Sequence, residues 1–183
     1  RRMRFMQSIR SIFKACILSG AVLAATSIAL TPAHAAEQRL GKFKDWEAFV
    51  YKTDKQKVCY LYAVPQKSEG DYTKRGQTYV MVTHHPKSKD LNVVNVVAGY
   101  TYKLQSEVEV DIDGRETSLF TDRDSAWAVD DKTDNQLVKM MRAGSKLVVE
   151  GRSSRGTLTR DVYSLSGFTA AHQAASKACG VKA

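Results

Sequence analysis

The sequence predicts a mainly β, single-domain β-sandwich with about two short helices, one of them near the C-terminus. Three observations predict it. Short segments rich in Val, Tyr, Phe and Thr recur with turn residues between them, the pattern of a sandwich or barrel. One of them, Lys103 to Ile112, alternates polar and apolar residues and runs into Asp113-Gly114, a hairpin turn signal. Helical periodicity appears in only two stretches.

The chain opens on a different kind of segment. Arg1, Arg2, Arg4, Arg10 and Lys14 precede an uncharged run, Ala15 to Leu30, which Pro32 and Ala33-His34-Ala35 close. A basic region, an apolar region and small residues at an A-x-A site are what a signal peptidase reads. Residues 1–35 therefore read as a signal peptide, with cleavage between Ala35 and Ala36. The run of 16 residues is shorter than the ~20 that a spanning helix needs, so no stable transmembrane span is expected after cleavage. Lys14 puts a charge where a lipobox is apolar, so Cys16 is not read as a lipidation site. Arg1-Arg2 resembles a twin-arginine signal, but Phe5 sits one place too far along, and general secretion is the expectation.

Residues 36–183 are then one domain, undivided by repeats or low-complexity sequence and long enough to bury a core. Five of the 28 basic residues and none of the 19 acidic ones lie in 1–35, which lowers the net charge from +9 to +4. The basic balance is thus partly an export signal, and no nucleic-acid partner is expected.

Within the domain, Trp46 to Tyr51, Val58 to Val64, Thr78 to Thr83 and Leu91 to Ala98 read as strands. From Lys103 to Ile112, one face carries Leu104, Val108, Val110 and Ile112, and the other Lys103, Gln105, Glu107, Glu109 and Asp111. This strand should have a dry side and a wet side. The chain returns after Asp113-Gly114 through Arg115 to Thr121, and Lys146 to Glu150 and Thr157 to Ser164 continue the β pattern. The first helix is expected from a cap at Thr133 or Asp134, through Leu137, Val138, Met140 and Met141, to Gly144. The second follows Ser166-Gly167, with Phe168, Ala171, Ala175 and Ala178 as an apolar stripe. Cys179 lies eleven residues after Phe168, close to three turns, and faces the same way.

Cys59 and Cys179 are the two cysteines of this domain. An oxidising compartment makes a disulfide the expectation, with two unpaired buried thiols as the alternative.

Several constellations resemble chemical sites. Glu109-Val-Asp111-Ile-Asp113-Gly114 has the look of an EF-hand opening, but Phe120 stands at the twelfth position, where a bidentate carboxylate is needed. Strand alternation and a hairpin explain it. His84-His85 lacks an evident third ligand and reads as a loop-edge surface pair. His172 is placed on the outer face of the last helix. No nucleophile elbow, Cys-His signature, zinc spacing or Gly-rich phosphate loop is present. Arg152-Ser-Ser-Arg155-Gly156 reads as a solvated basic turn, with anion binding as the alternative. No catalytic, cofactor or metal residues are assigned. Charge is uneven: residues 107–134 hold ten acidic against three basic side chains, leaving the rest of the domain strongly positive.

Gly41-Lys42-Phe43-Lys44-Asp45-Trp46, Lys57-Val58-Cys59 and above all Tyr163-Ser164-Leu165-Ser166-Gly167-Phe168-Thr169-Ala170-Ala171 resemble the invasion-associated locus B family of exported bacterial proteins. The resemblance covers nearly all of residues 36–183. It implies a periplasmic or envelope β-sandwich, named for a link to host-cell invasion, with no defined catalytic site. Typical members carry a further cysteine pair in mid-domain. Leu119 to Trp127 holds none, which marks a divergent branch.

The function expected is that of a non-enzymatic protein of the periplasm or envelope, including the outer membrane and secreted fractions, which binds an unidentified protein or envelope-surface partner. Two alternatives stand beside it. A periplasmic hydrolase would need His172 or the His84-His85 pair within roughly 3.2 Å of a nucleophile. A metal-binding protein would need at least three side-chain ligands around His84 and His85.

Overall fold

The computed structural model describes residues 36–53 and 55–183. The expected signal segment, residues 1–35, and the expected Ala35-Ala36 cleavage site fall outside the described residues, apart from the backbone of Ala36.

Eleven strands and two helices follow in chain order: β1 Ala36–Phe43, β2 Trp46–Lys52, β3 Lys57–Ala63, β4 Lys67–Gly70, β5 Tyr79–His85, β6 Asp90–Val97, β7 Glu107–Ile112, β8 Arg115–Asp122, β9 Ser125–Trp127, α1 Asp131–Ala143, β10 Lys146–Arg152, β11 Leu158–Ser164 and α2 Phe168–Cys179. The chain is mainly β, as its patterning predicts. All strands belong to one antiparallel sheet ordered β1-β2-β3-β5-β6-β9-β8-β7-β10-β11-β4. A single core cluster draws side chains from both halves of this continuous sheet, including Leu61 and Val82 from one and Val108 and Leu147 from the other.

Period-two burial drives the layering. In β7, Val108, Val110 and Ile112 are buried while Glu107 and Glu109 are exposed. Asp113 and Gly114 take φ of 50° and 84°, the left-handed pair that a two-residue hairpin with native twist requires. Asp111 Oδ1 accepts from Gly114 N at 2.6 Å, and the Asp113 carboxylate accepts from Ser145 N and Lys146 N. Asp111 therefore closes the hairpin, and Asp113 fastens it to the start of β10.

Leu104 corrects one expectation. It is 89% exposed, in a turn before β7. Ser106 folds back on the Lys103 carbonyl through both its N–H and its hydroxyl, and Gln105 has φ of 56°, so the chain turns where alternation alone suggests extension. The α1 cap also differs from expectation. Asp130 caps the helix, its Oδ1 accepting from Thr133 N and Thr133 Oγ1 at 2.7 and 2.6 Å. Asp134 is pulled inward to accept from Val94 N at 2.8 Å. β1, β4 and β9 are strands that patterning missed; β4 and β9 have four and three residues, too short to show a period.

The stretches that carry the family resemblance meet in space. Trp46, fully buried, donates from Nε1 to the Ser164 carbonyl at 2.9 Å and packs edge-on against Phe168, with centroids 4.8 Å apart. Gly167 precedes Phe168 with φ of 92°, and a Cβ there would come within 1.8 Å of the Phe43 carbonyl oxygen. Only glycine fits that turn into α2. Cys59 and Cys179 are joined by a disulfide, which staples the end of α2 to β3.

Candidate functional site

The largest concentration of aromatic side chains on the outside of the sheet lies on β2, β3 and β5. Ala48, Val50, Cys59, Leu61, Val80 and Val82 fill the core positions of these strands, so their alternates, Phe49, Tyr60, Tyr62, Tyr79 and Met81, must face outward. Phe49 is the direct cross-strand partner of Tyr60, and Tyr62 of Met81. Phe49 stacks on Tyr60 and on Tyr62 at 5.3 and 5.8 Å, and Tyr62 meets Tyr79 edge-on at 6.2 Å.

These rings are half-buried and pack against one another. A groove of about 480 Å³ runs beside them, bounded by Tyr60, Tyr62, Val64, Thr78, Tyr79 and Met81, with Val64 60% exposed at its end. The Tyr60 hydroxyl is hydrogen-bonded to Glu37 of β1; burial first, and that carboxylate second, raise its pKa well above the usual phenol range. Arg39, Lys42 and Glu47 form an ion-paired rim at the β1 side. An apolar aromatic centre with a polar rim is the anatomy of a protein-binding surface.

The histidines lie elsewhere than the sequence reading placed two of them. His84 is not a surface residue; it is fully buried in β5. The reason is visible in the sequence, since Val80, Val82 and His84 share one strand face. His172 is 1% exposed, not on the outer face of α2. It is four residues from Phe168 and seven from Cys179, within the apolar stripe, and its ring stacks on Phe168 at 5.8 Å. His85 alone points away, half-buried near Lys57 and Lys87.

His84 Nε2 lies 3.1 Å from Ser176 Oγ, within reach of a nucleophile–base pair. Its other nitrogen decides the role. Nδ1 accepts from Asn92 N at 3.1 Å, so the neutral ring carries its proton on Nε2 and donates to Ser176. A general base needs the reverse. Burial, with a smaller contribution from His85, holds the His84 pKa down at about 4, and Ser176 is 1% exposed. The pair is an internal tie between β5 and α2. His172 Nε2 donates to Asn92 Oδ1 at 2.8 Å, and Asn92 Nδ2 donates to Asn135 Oδ1 at 2.8 Å, so one network joins β5, β6, α1 and α2. Burial, then His84 and Arg142, lower the His172 pKa to about 4.

Among the described residues, no group of three or more His, Cys, Asp or Glu side chains is placed to hold a metal ion. No described helix is long and apolar enough to cross a membrane. Arg152 closes its own turn by donating to the Gly156 carbonyl at 2.7 Å.

A family model described as Invasion associated locus B (IalB) protein matches residues 46–176. No curated protein and no solved structure matches the chain.

Proposed function

Because the chain belongs to the Invasion associated locus B (IalB) protein family, we propose that it is an exported envelope protein that works by binding a protein partner on the outer aromatic face of β2, β3 and β5, without catalysis. The outward-facing ladder Phe49, Tyr60, Tyr62 and Tyr79 beside its groove carries this reading. Aromatic rings supply large contact area at little entropic cost, and such residues dominate binding energy at interfaces.

Export to the periplasm is supported by the basic, apolar and A-x-A order of residues 1–35. The Cys59–Cys179 disulfide suits an oxidising compartment. The invasion named in the family description favours a host-facing partner.

The test is recovery of the partner from envelope and host-cell fractions by the exported protein, set against a Tyr62→Ser/Tyr79→Ser variant shown by its thermal melt to be folded. The proposal expects a protein that the wild type retains and the variant loses. Equal retention by both would overturn it.

A further inference from the structure

We propose that the basic cleft between α1, α2 and the start of β6 binds a phosphate-type anion. The cleft has a volume of about 550 Å³ and is separate from the aromatic face. Lys89, Lys139, Arg142 and Lys182 line it, against the carboxylate of Asp131 and the α-carboxylate of Ala183. Lys139 and Arg142 share an edge of α1, whereas Lys89 precedes β6 and Lys182 follows α2. Four cations from three parts of the chain thus converge. Favourable placement at a helix C-terminus accounts for Arg142 alone. Among the described residues none of the four is in an ion pair, and like charges brought together repel.

The wall of the cleft is held in place by His172 and Asn92. His172 belongs to the cleft lining, is 1% exposed, and its Nδ1 is a buried nitrogen with no hydrogen-bond partner. Because Nε2 donates to Asn92 Oδ1, Nδ1 is left as an idle acceptor. The neutral ring offers an anion no donor from this nitrogen, and His172 serves the cleft by holding Asn92. Asn92, with φ of 60°, is clamped at its backbone N–H by His84 and at its side chain by His172 and Asn135, so this wall is preorganised. Arg142 offers a planar fork and the lysines mobile point charges, a set suited to oxygens of a phosphate group.

Calorimetric titration of the purified protein with inorganic pyrophosphate at fixed ionic strength tests this, alongside sedimentation with vesicles of phosphatidylglycerol and phosphatidylcholine or of phosphatidylcholine alone. Expected is saturable binding to one probe that Lys139→Gln/Arg142→Gln weakens about tenfold or more, while Arg152→Gln/Arg155→Gln, with the same loss of charge, changes it less than about twofold. Binding of pyrophosphate assigns the site to a free anion; binding only of the phosphatidylglycerol vesicles assigns it to a headgroup. If Lys139→Gln/Arg142→Gln fails to fold, Lys89→Gln/Lys182→Gln, which spares the helix, takes its place. No binding of either probe, or equal loss in the cleft and control variants, overturns the proposal.

Discussion

The guanidinium of Arg75 meets the carboxylate of Asp161 in a two-pronged pair, Nη1 to Oδ1 at 2.7 Å and Nη2 to Oδ2 at 2.6 Å, with side chains 6% and 3% exposed. Arg75 Nε also donates to the Ala98 carbonyl at 2.6 Å, and Tyr100 and Tyr72 lie 5.0 and 5.6 Å from the guanidinium carbon. One side chain therefore ties the segment before β5 to β11 and to the end of β6, across the core.

Removal of Arg75 strands a buried carboxylate. Arg75→Ala should destabilise the fold by about 3 to 5 kcal/mol. Arg75→Lys keeps a charge but loses the fork, and should fall between that variant and the wild type. Urea denaturation measures both; a loss under about 1 kcal/mol in Arg75→Ala would show that the pair is not holding the layers together.

Acid should weaken the fold through its histidines. His84 and His172 have folded pKa values of about 4, below the ordinary 6.5. Their contribution is complete above pH 6.5 and is lost as pH falls towards 4, because the unfolded chain takes up the protons first. Asp134 opposes them. Burial, despite the hydrogen bond from Val94 and helped by Asp131 and Asp130, raises its pKa to about 6, so its folded form gains stability as pH falls from 6 towards 3.8. Two histidines outweigh one carboxyl, and net stability should drop between pH 6.5 and 4. Denaturation at several pH values should show a steeper drop in Asp134→Asn and a shallower one in His84→Gln. A flat wild-type profile would contradict the burial of the pair.

The disulfide closes a loop of 120 residues, and its loss should cost about 4 to 5 kcal/mol, less any strain it carries. α2 rests on β1, β2 and β3, so reduction or Cys59→Ala should free α2 before the sheet melts. Hydrogen exchange resolves the order: amides of α2 should lose protection ahead of those in β5 and β10. Simultaneous loss would mean that α2 packing alone holds the helix.

Cleavage between Ala35 and Ala36 is the expectation from the A-x-A site at 33–35. N-terminal sequencing of protein from the envelope fraction should begin at Ala36. A first residue before Ala15 would refute signal processing.

Local chemistry was legible in the sequence because it acts over a few residues. The β7 alternation, the Asp113-Gly114 hairpin, the glycine entering α2 and the core face of Cys59 depend on periods of two and 3.6 and on φ preferences, which are properties of the segment itself. Even His84 and His172 were readable in principle, since each follows an apolar period; residue type was allowed to override position. The tertiary structure alone decided what lies opposite. Arg75 and Asp161 are 86 residues apart, and Trp46 and Ser164 are 118 apart. The aromatic face and the basic cleft likewise draw on separate elements. No local preference encodes such pairings: they form when the sheet folds over its core, and the energy of burying both halves, not the conformational bias of either segment, selects the partners.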